Sequence, residues 1–134
     1  MPKAEEAAED VVRRAYEAYA RGDLAAMLEL VDADLEWTYL DPSSADPEPQ
    51  VCHGRHELRA ALERRSRGVS AQLEEVVGRG DRVLVVVRRP GIDAERARKT
   101  GDRDFDVVTV RAGRIVALRA CRDRQEAARI AGID

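Results

Sequence analysis

The run Asp104 to Cys121, Asp-Phe-Asp-Val-Val-Thr-Val-Arg-Ala-Gly-Arg-Ile-Val-Ala-Leu-Arg-Ala-Cys, constrains the fold of this chain more than any other stretch. Two β-branched segments flank Arg-Ala-Gly-Arg, the pattern of an antiparallel hairpin whose Gly113 takes a positive φ. Side chains alternate along a strand, so Asp104 and Asp106 share one face while Phe105, Val107 and Thr109 share the other. A carboxylate pair turned toward an interior requires a reason, because an uncompensated buried charge is costly. The two aspartates are therefore the first place to look for function.

At 134 residues the chain is expected to form a single domain, 1–134, around one core. Its 26 acidic and 23 basic side chains are interspersed, giving a net charge of -3 and none of the clustered basic surface that nucleic acid requires. The two cysteines, Cys52 and Cys121, are too few for a disulfide framework and are read as free thiols. The N-terminal segment lacks an apolar leader core, and no run approaches the roughly 20 apolar residues that span a bilayer. The expectation is a cytoplasmic protein without membrane contact.

Two amphipathic helices come first, about Glu5 to Arg21 and Leu24 to Leu30, separated by Gly22 and an N-capping Asp23. Leu35, Trp37 and Tyr39 then alternate with polar residues as one face of a strand. The stretch 41–50 holds three prolines and no periodicity, which predicts a long loop and a candidate lid. After a short segment Val51 to His53, Gly54 interrupts the chain and a third helix is expected over Glu57 to Arg65, with Leu58, Ala61 and Leu62 inward. Ala71 to Gly78 and Asp81 to Arg89 read as strands, and Val83 to Val87 is apolar on both faces, like a central strand covered on both sides. The charged stretch Gly91 to Arg103 is expected to be an exposed loop. Asp123 and Gly132 bracket a short C-terminal helix or turn.

This order of elements resembles the nuclear transport factor two-like family, which includes the SnoaL-like polyketide cyclases and ketosteroid isomerase. Ala20-Arg-Gly-Asp-Leu-Ala-Ala-Met27 resembles its helix-turn-helix entry, Asp34-Leu-Glu-Trp37 its first strand, and His53-Gly-Arg-His-Glu-Leu58 the start of its third helix. Val110-Arg-Ala-Gly-Arg-Ile115 is similar to its last hairpin, and Asp123 to Gly132 to its C-terminal tail. The resemblance implies an α+β fold. A strongly bent mixed or antiparallel sheet wraps three helices from the N-terminal half of the chain into a cone with a central pocket, and two subunits pair through the convex face. It also implies a small organic ligand and no cofactor. Because this fold hosts enzymes and binding domains alike, the pocket residues have to decide the function.

The isomerase uses an Asp base with an oxyanion hole built from a Tyr and a protonated Asp. Carried over by position, its tyrosine falls on Ala15 and its base on Tyr39; only its protonated aspartate has a counterpart, Asp104 or, one register away, Asp106. A steroid-isomerase mechanism is thus not expected.

Asp104 and Asp106 remain the acid/base candidates, about 6–7 Å apart along their strand; the plain alternative is a solvated strand start, or pairing with arginines such as Arg122 and Arg88. Tyr39 is a candidate hydrogen-bond donor to a ligand carbonyl and Trp37 an apolar wall, against an ordinary core role for both. His53 is a candidate proton-transfer group, against a capping or surface histidine. With His56 and Cys52 it superficially resembles a metal site, but the spacing straddles a turn and supplies no defined ligand set, so no metal is expected. The pocket wall is expected to include Ala15, Tyr19 and Met27 from the first two helices and Leu58 and Leu62 from the third. Leu118, Ala120 and Arg122 are expected to complete it from the last strand. Tyr16 is assigned to packing and Cys121 to a dimer contact on the convex side, where Phe105, Val107 and Ala117 would otherwise leave an exposed apolar patch. Two functions stay open: cofactor-free isomerisation, cyclisation or hydration of an apolar carbonyl or epoxide compound, or a non-catalytic binding or dimerisation domain.

Overall fold

Apolar residues at helical spacing, Ala8, Val11, Val12, Ala15 and Ala18, are the buried stripe of the first helix, α1 (Ala4–Ala20). In the computed structural model, which describes residues 4–40, 49–65, 72–88 and 103–133, this stripe lies on the inner face of a six-stranded sheet. Asp23 caps α2 (Leu24–Glu29) by accepting the Ala26 N–H at 3.1 Å, as its sequence position predicts. Of the candidate lid, 41–50, residues 41–48 lie outside the described residues and Pro49 and Gln50 belong to a strand; the charged loop up to 102 also lies outside them.

The strands are β1 (Val31–Leu40), β2 (Pro49–His53), β3 (Gln72–Arg79), β4 (Arg82–Arg88), β5 (Arg103–Arg111) and β6 (Arg114–Cys121), in sheet order β2-β1-β6-β5-β4-β3. All neighbours are antiparallel except β1 and β6, so the sheet is mixed and the fold is α+β. The hairpin read from the sequence is β5–β6. Its tight turn, Ala112-Gly113, has φ of 51° and 75°, the paired positive values that match strand twist. Val83 to Val87 are all buried, the doubly covered central strand expected.

The third helix, α3 (Gly54–Arg65), begins three residues earlier than its periodicity suggests. Glu57 reaches back to accept the backbone N–H of His53, and the Arg55 guanidinium donates to the Val31 carbonyl at 2.8 Å, tying the helix start to β1. Gly54 sits at φ 82°, a conformation that favours glycine, and a Cβ there would crowd the Ala33 carbonyl oxygen at 3.2 Å.

The opposite sheet face departs from expectation. The apolar residues there were expected to form an exposed patch needing a second subunit. Instead α4 (Arg124–Ala131), capped by Asp123 and closed at Gly132, covers much of it. Ala127, Ala128 and Ala131 are small enough to bring the helix close, burying Leu84, Val86, Val107 and Cys121 beneath it. Arg124 holds Glu75 of β3 through two hydrogen bonds of 2.8 and 2.7 Å, and the Arg82 guanidinium donates to the Ile130 carbonyl at 2.6 Å. The patch on which the dimer expectation rested is thus largely satisfied within one chain, and Cys121 is buried in the protomer rather than presented to another.

Candidate functional site

Between α1, α3 and the inner sheet face lies a cavity of about 100 Å³. Its walls are largely apolar: Ala15 from α1, Met27 from α2, Val31, Leu35 and Trp37 from β1, and Leu58 and Leu62 from α3. Ile115, Leu118 and Ala120 of β6 and Val87 of β4 complete them. Polar groups gather where β5 meets α1: Asp104, Asp106, Tyr16 and Tyr19 all line the cavity.

Strand alternation puts both aspartates on one face, as read from the sequence; that face is the inner one, and the register sets their depth. Asp106 pairs with Val85 and Asp104 with Val87, so Asp106 lies deeper along the sheet; it is only 9% exposed, whereas Asp104 is half-buried. The Tyr16 hydroxyl donates to Asp106 Oδ2 at 2.8 Å, an ordinary hydrogen-bond length, linking α1 to a buried carboxylate 90 residues away in sequence. The site therefore combines an apolar chamber with an oriented carboxylate, the arrangement suited to proton transfer on an otherwise apolar molecule.

Tyr16 corrects the packing role assigned to it. Carried over by position, the isomerase tyrosine falls on Ala15, which does press onto the sheet at 1% exposure, but the adjacent residue supplies the hydroxyl. The available signal was a polar tip on the edge of an apolar helical stripe. Three other expected residues are not among the described lining residues. Tyr39 is half-buried with its ring against Trp37, centroids 5.0 Å apart. His53 is exposed and pairs in register with the exposed Glu36, which places it on the face opposite Trp37 and the cavity. Arg122 is exposed in the bend after β6, where its backbone N–H donates to Glu126. Asp104, Asp106, Ala15, Tyr19, Met27, Trp37, Leu58, Leu62, Leu118 and Ala120 do come together at the cavity. Among the described residues no group of three or more His, Cys, Asp or Glu side chains is placed to hold a metal ion.

Cys121 also borders the cavity, and its surroundings make it inert. Burial, with the nearby Glu126 and Asp106 carboxylates adding to it, pushes the thiol up to about 12. Because the folded-state value lies above that of the unfolded chain, this protection is complete below the ordinary thiol range and is lost as pH climbs toward 12. A thiol reagent at pH 8 is expected to label the half-buried Cys52 of the native protein while sparing Cys121, which reacts only on unfolding. Peptide mapping checks this; rapid native labelling of Cys121 would contradict it.

A mixed sheet with helices on its inner face and a pocket between them defines the nuclear transport factor two-like class. Within that class, residues 12–118 match the SnoaL-like domain, and the chain belongs to that family. No curated protein matches it by sequence. Among solved structures it is similar to Bal32a from a soil-derived mobile gene cassette, at 23% identity and a TM-score of 0.70, over 89% of this chain and 91% of that one. A Xanthomonas campestris protein provisionally described as a polyketide cyclase is 23% identical, with a TM-score of 0.65 over 92% and 96% of the two chains. A Kribbella flavida protein provisionally described as a ketosteroid isomerase is 13% identical, with a TM-score of 0.67 over 87% and 77%. At these identities the solved structures establish the fold alone. No helix among the described residues is long and apolar enough to cross a membrane.

Proposed function

We propose that the chain binds a small, mostly apolar carbonyl compound in this cavity and moves a proton on it without a cofactor. The observation that carries the reading is the Tyr16–Asp106 hydrogen bond at the polar end of an otherwise apolar chamber. In this reading Asp106 takes a proton from the carbon beside the ligand carbonyl and returns it to the same or a conjugated carbon. Tyr16 orients the carboxylate, and Tyr19, the other lining tyrosine, donates to the oxygen on which negative charge develops. Isomerisation and enolate-driven cyclisation share that first step. Likeness to proteins described as cyclases and isomerases is consistent with it.

The test is hydrogen-to-deuterium exchange at the carbon next to the carbonyl of 3-methylcyclohex-2-enone in heavy water, followed by NMR. Wild-type protein is expected to accelerate exchange over buffer, and Ala120→Phe, which fills the chamber, to remove at least about 90% of the acceleration. Binding without acceleration would instead favour a non-catalytic pocket. The absence of both binding and acceleration would sink the proposal.

A further inference from the structure

Resting on the reading of this cavity as the ligand site, we infer that it encloses the apolar body of a ligand no larger than a single six-membered ring, so that any further ring of a fused-ring compound stays outside it and adds little to binding. Its volume of about 100 Å³ compares with roughly 150 Å³ for an engineered apolar cavity that holds one benzene. It falls well below the roughly 300–1,000 Å³ of sites that enclose drug-sized molecules.

The walls are not placed to retreat. Leu58, Met27, Trp37 and Ile115 are at most 7% exposed and are packed from behind by the core, so displacing them disturbs close-packed neighbours. The roof is pinned as well. Across the polar end, α1 is tied to β5 by the 2.8 Å Tyr16–Asp106 bond. Two turns earlier along α1, the Glu9 carboxylate accepts the Gly78 N–H of β3 at 2.7 Å. Two bonds from different turns of α1 to different strands fix the helix-to-sheet distance, so the chamber does not widen by lifting the helix. With its polar lining side chains gathered at the β5 end, the chamber holds a ring whose oxygen function points toward Asp104 and Asp106.

The experiment is an NMR titration following the indole N–H of Trp37, the chain's one tryptophan, with 3-methylcyclohex-2-enone, a fused two-ring enone and a four-ring steroid enone. The single-ring compound is expected to shift the indole signal with a Kd on the order of millimolar, as suits a ligand of so few atoms. Fully burying a second ring would strengthen binding on the order of a hundredfold; in the wild type the two-ring and four-ring compounds are expected to gain less than tenfold. Leu62→Ala, which enlarges the chamber, is expected to raise two-ring affinity at least tenfold without tightening the single-ring compound. If that variant does not fold, the wild-type series decides alone. A tenfold or greater gain for the larger compounds in the wild type, abolished by Ala120→Phe, would overturn the size limit while leaving the cavity as the ligand site. No response to any compound would overturn the limit together with the function on which it rests.

Discussion

Placing a carboxylate at position 127 is expected to release α4 and lower the melting temperature by about 10 °C or more. Ala127 is 0% exposed and belongs to the buried apolar cluster of α4 with Leu84, Val86 and Val107, which contains no cationic side chain among the described residues. A charge cannot stay there unpaired, so Ala127→Glu drives the helix off the sheet, and the destabilisation is capped at the free energy of that undocking. Undocking uncovers three aliphatic side chains of the central strands, each worth about 1.5–3 kcal/mol when fully buried. Against a total stability of about 5–15 kcal/mol, the loss is large, and for a domain of this size each kcal/mol moves the melting temperature by a few degrees. The newly exposed patch also favours self-association. Thermal denaturation by circular dichroism, with light scattering alongside, checks both effects. Gln125→Glu, exposed on the same helix, is the control and is expected to melt like the wild type. A variant at position 127 that melts within about 2 °C of wild type would show that α4 is not part of the core.

That helix also marks a boundary of what the chain reveals before folding. Its caps, Asp123 and Gly132, are local chemistry and legible, as are the Ala112-Gly113 turn, the β-branched run Val83 to Val87 and the shared face of Asp104 and Asp106. Each depends only on residues within a few positions of one another. The covering role of α4 was not legible, because alanines are a weak apolar signal; their value here is the close approach they permit, which exists only against the particular sheet beneath. His53 was misplaced for a related reason. Its face is fixed by pairing with Glu36 of β1, a contact between separate segments, and β2 begins at Pro49, inside the stretch read as loop. Tyr16, Ala15 and Tyr19 all belong to one broad helical stripe, so which hydroxyl meets Asp106 depends on the rotation of α1 on the sheet, a tertiary quantity.

The second large effect concerns that hydroxyl and its carboxylate, and it separates a catalytic role from a structural one. Asp106→Asn is nearly isosteric but cannot take a proton at neutral pH, so carbon-bound hydrogen exchange on 3-methylcyclohex-2-enone is expected to fall about 10²–10⁴-fold, the usual contribution of a positioned base. Tyr16→Phe is expected to reduce exchange less, because it loosens the base without removing it. Stability should follow the opposite order. Tyr16→Phe takes a donor from a carboxylate that is 9% exposed, which costs about 1–3 kcal/mol. When it is combined with Asp106→Asn in a double-mutant cycle, the two losses are expected to be less than additive in urea denaturation, by about 0.5–3 kcal/mol. A purely structural pair would show the stability pattern with no change in exchange. Exchange that survives Asp106→Asn but is lost with Asp104→Asn would move the base two residues along β5, to the less buried of the two inward carboxylates, and leave Asp106 and Tyr16 as the hydrogen-bonded anchor of α1 on the sheet.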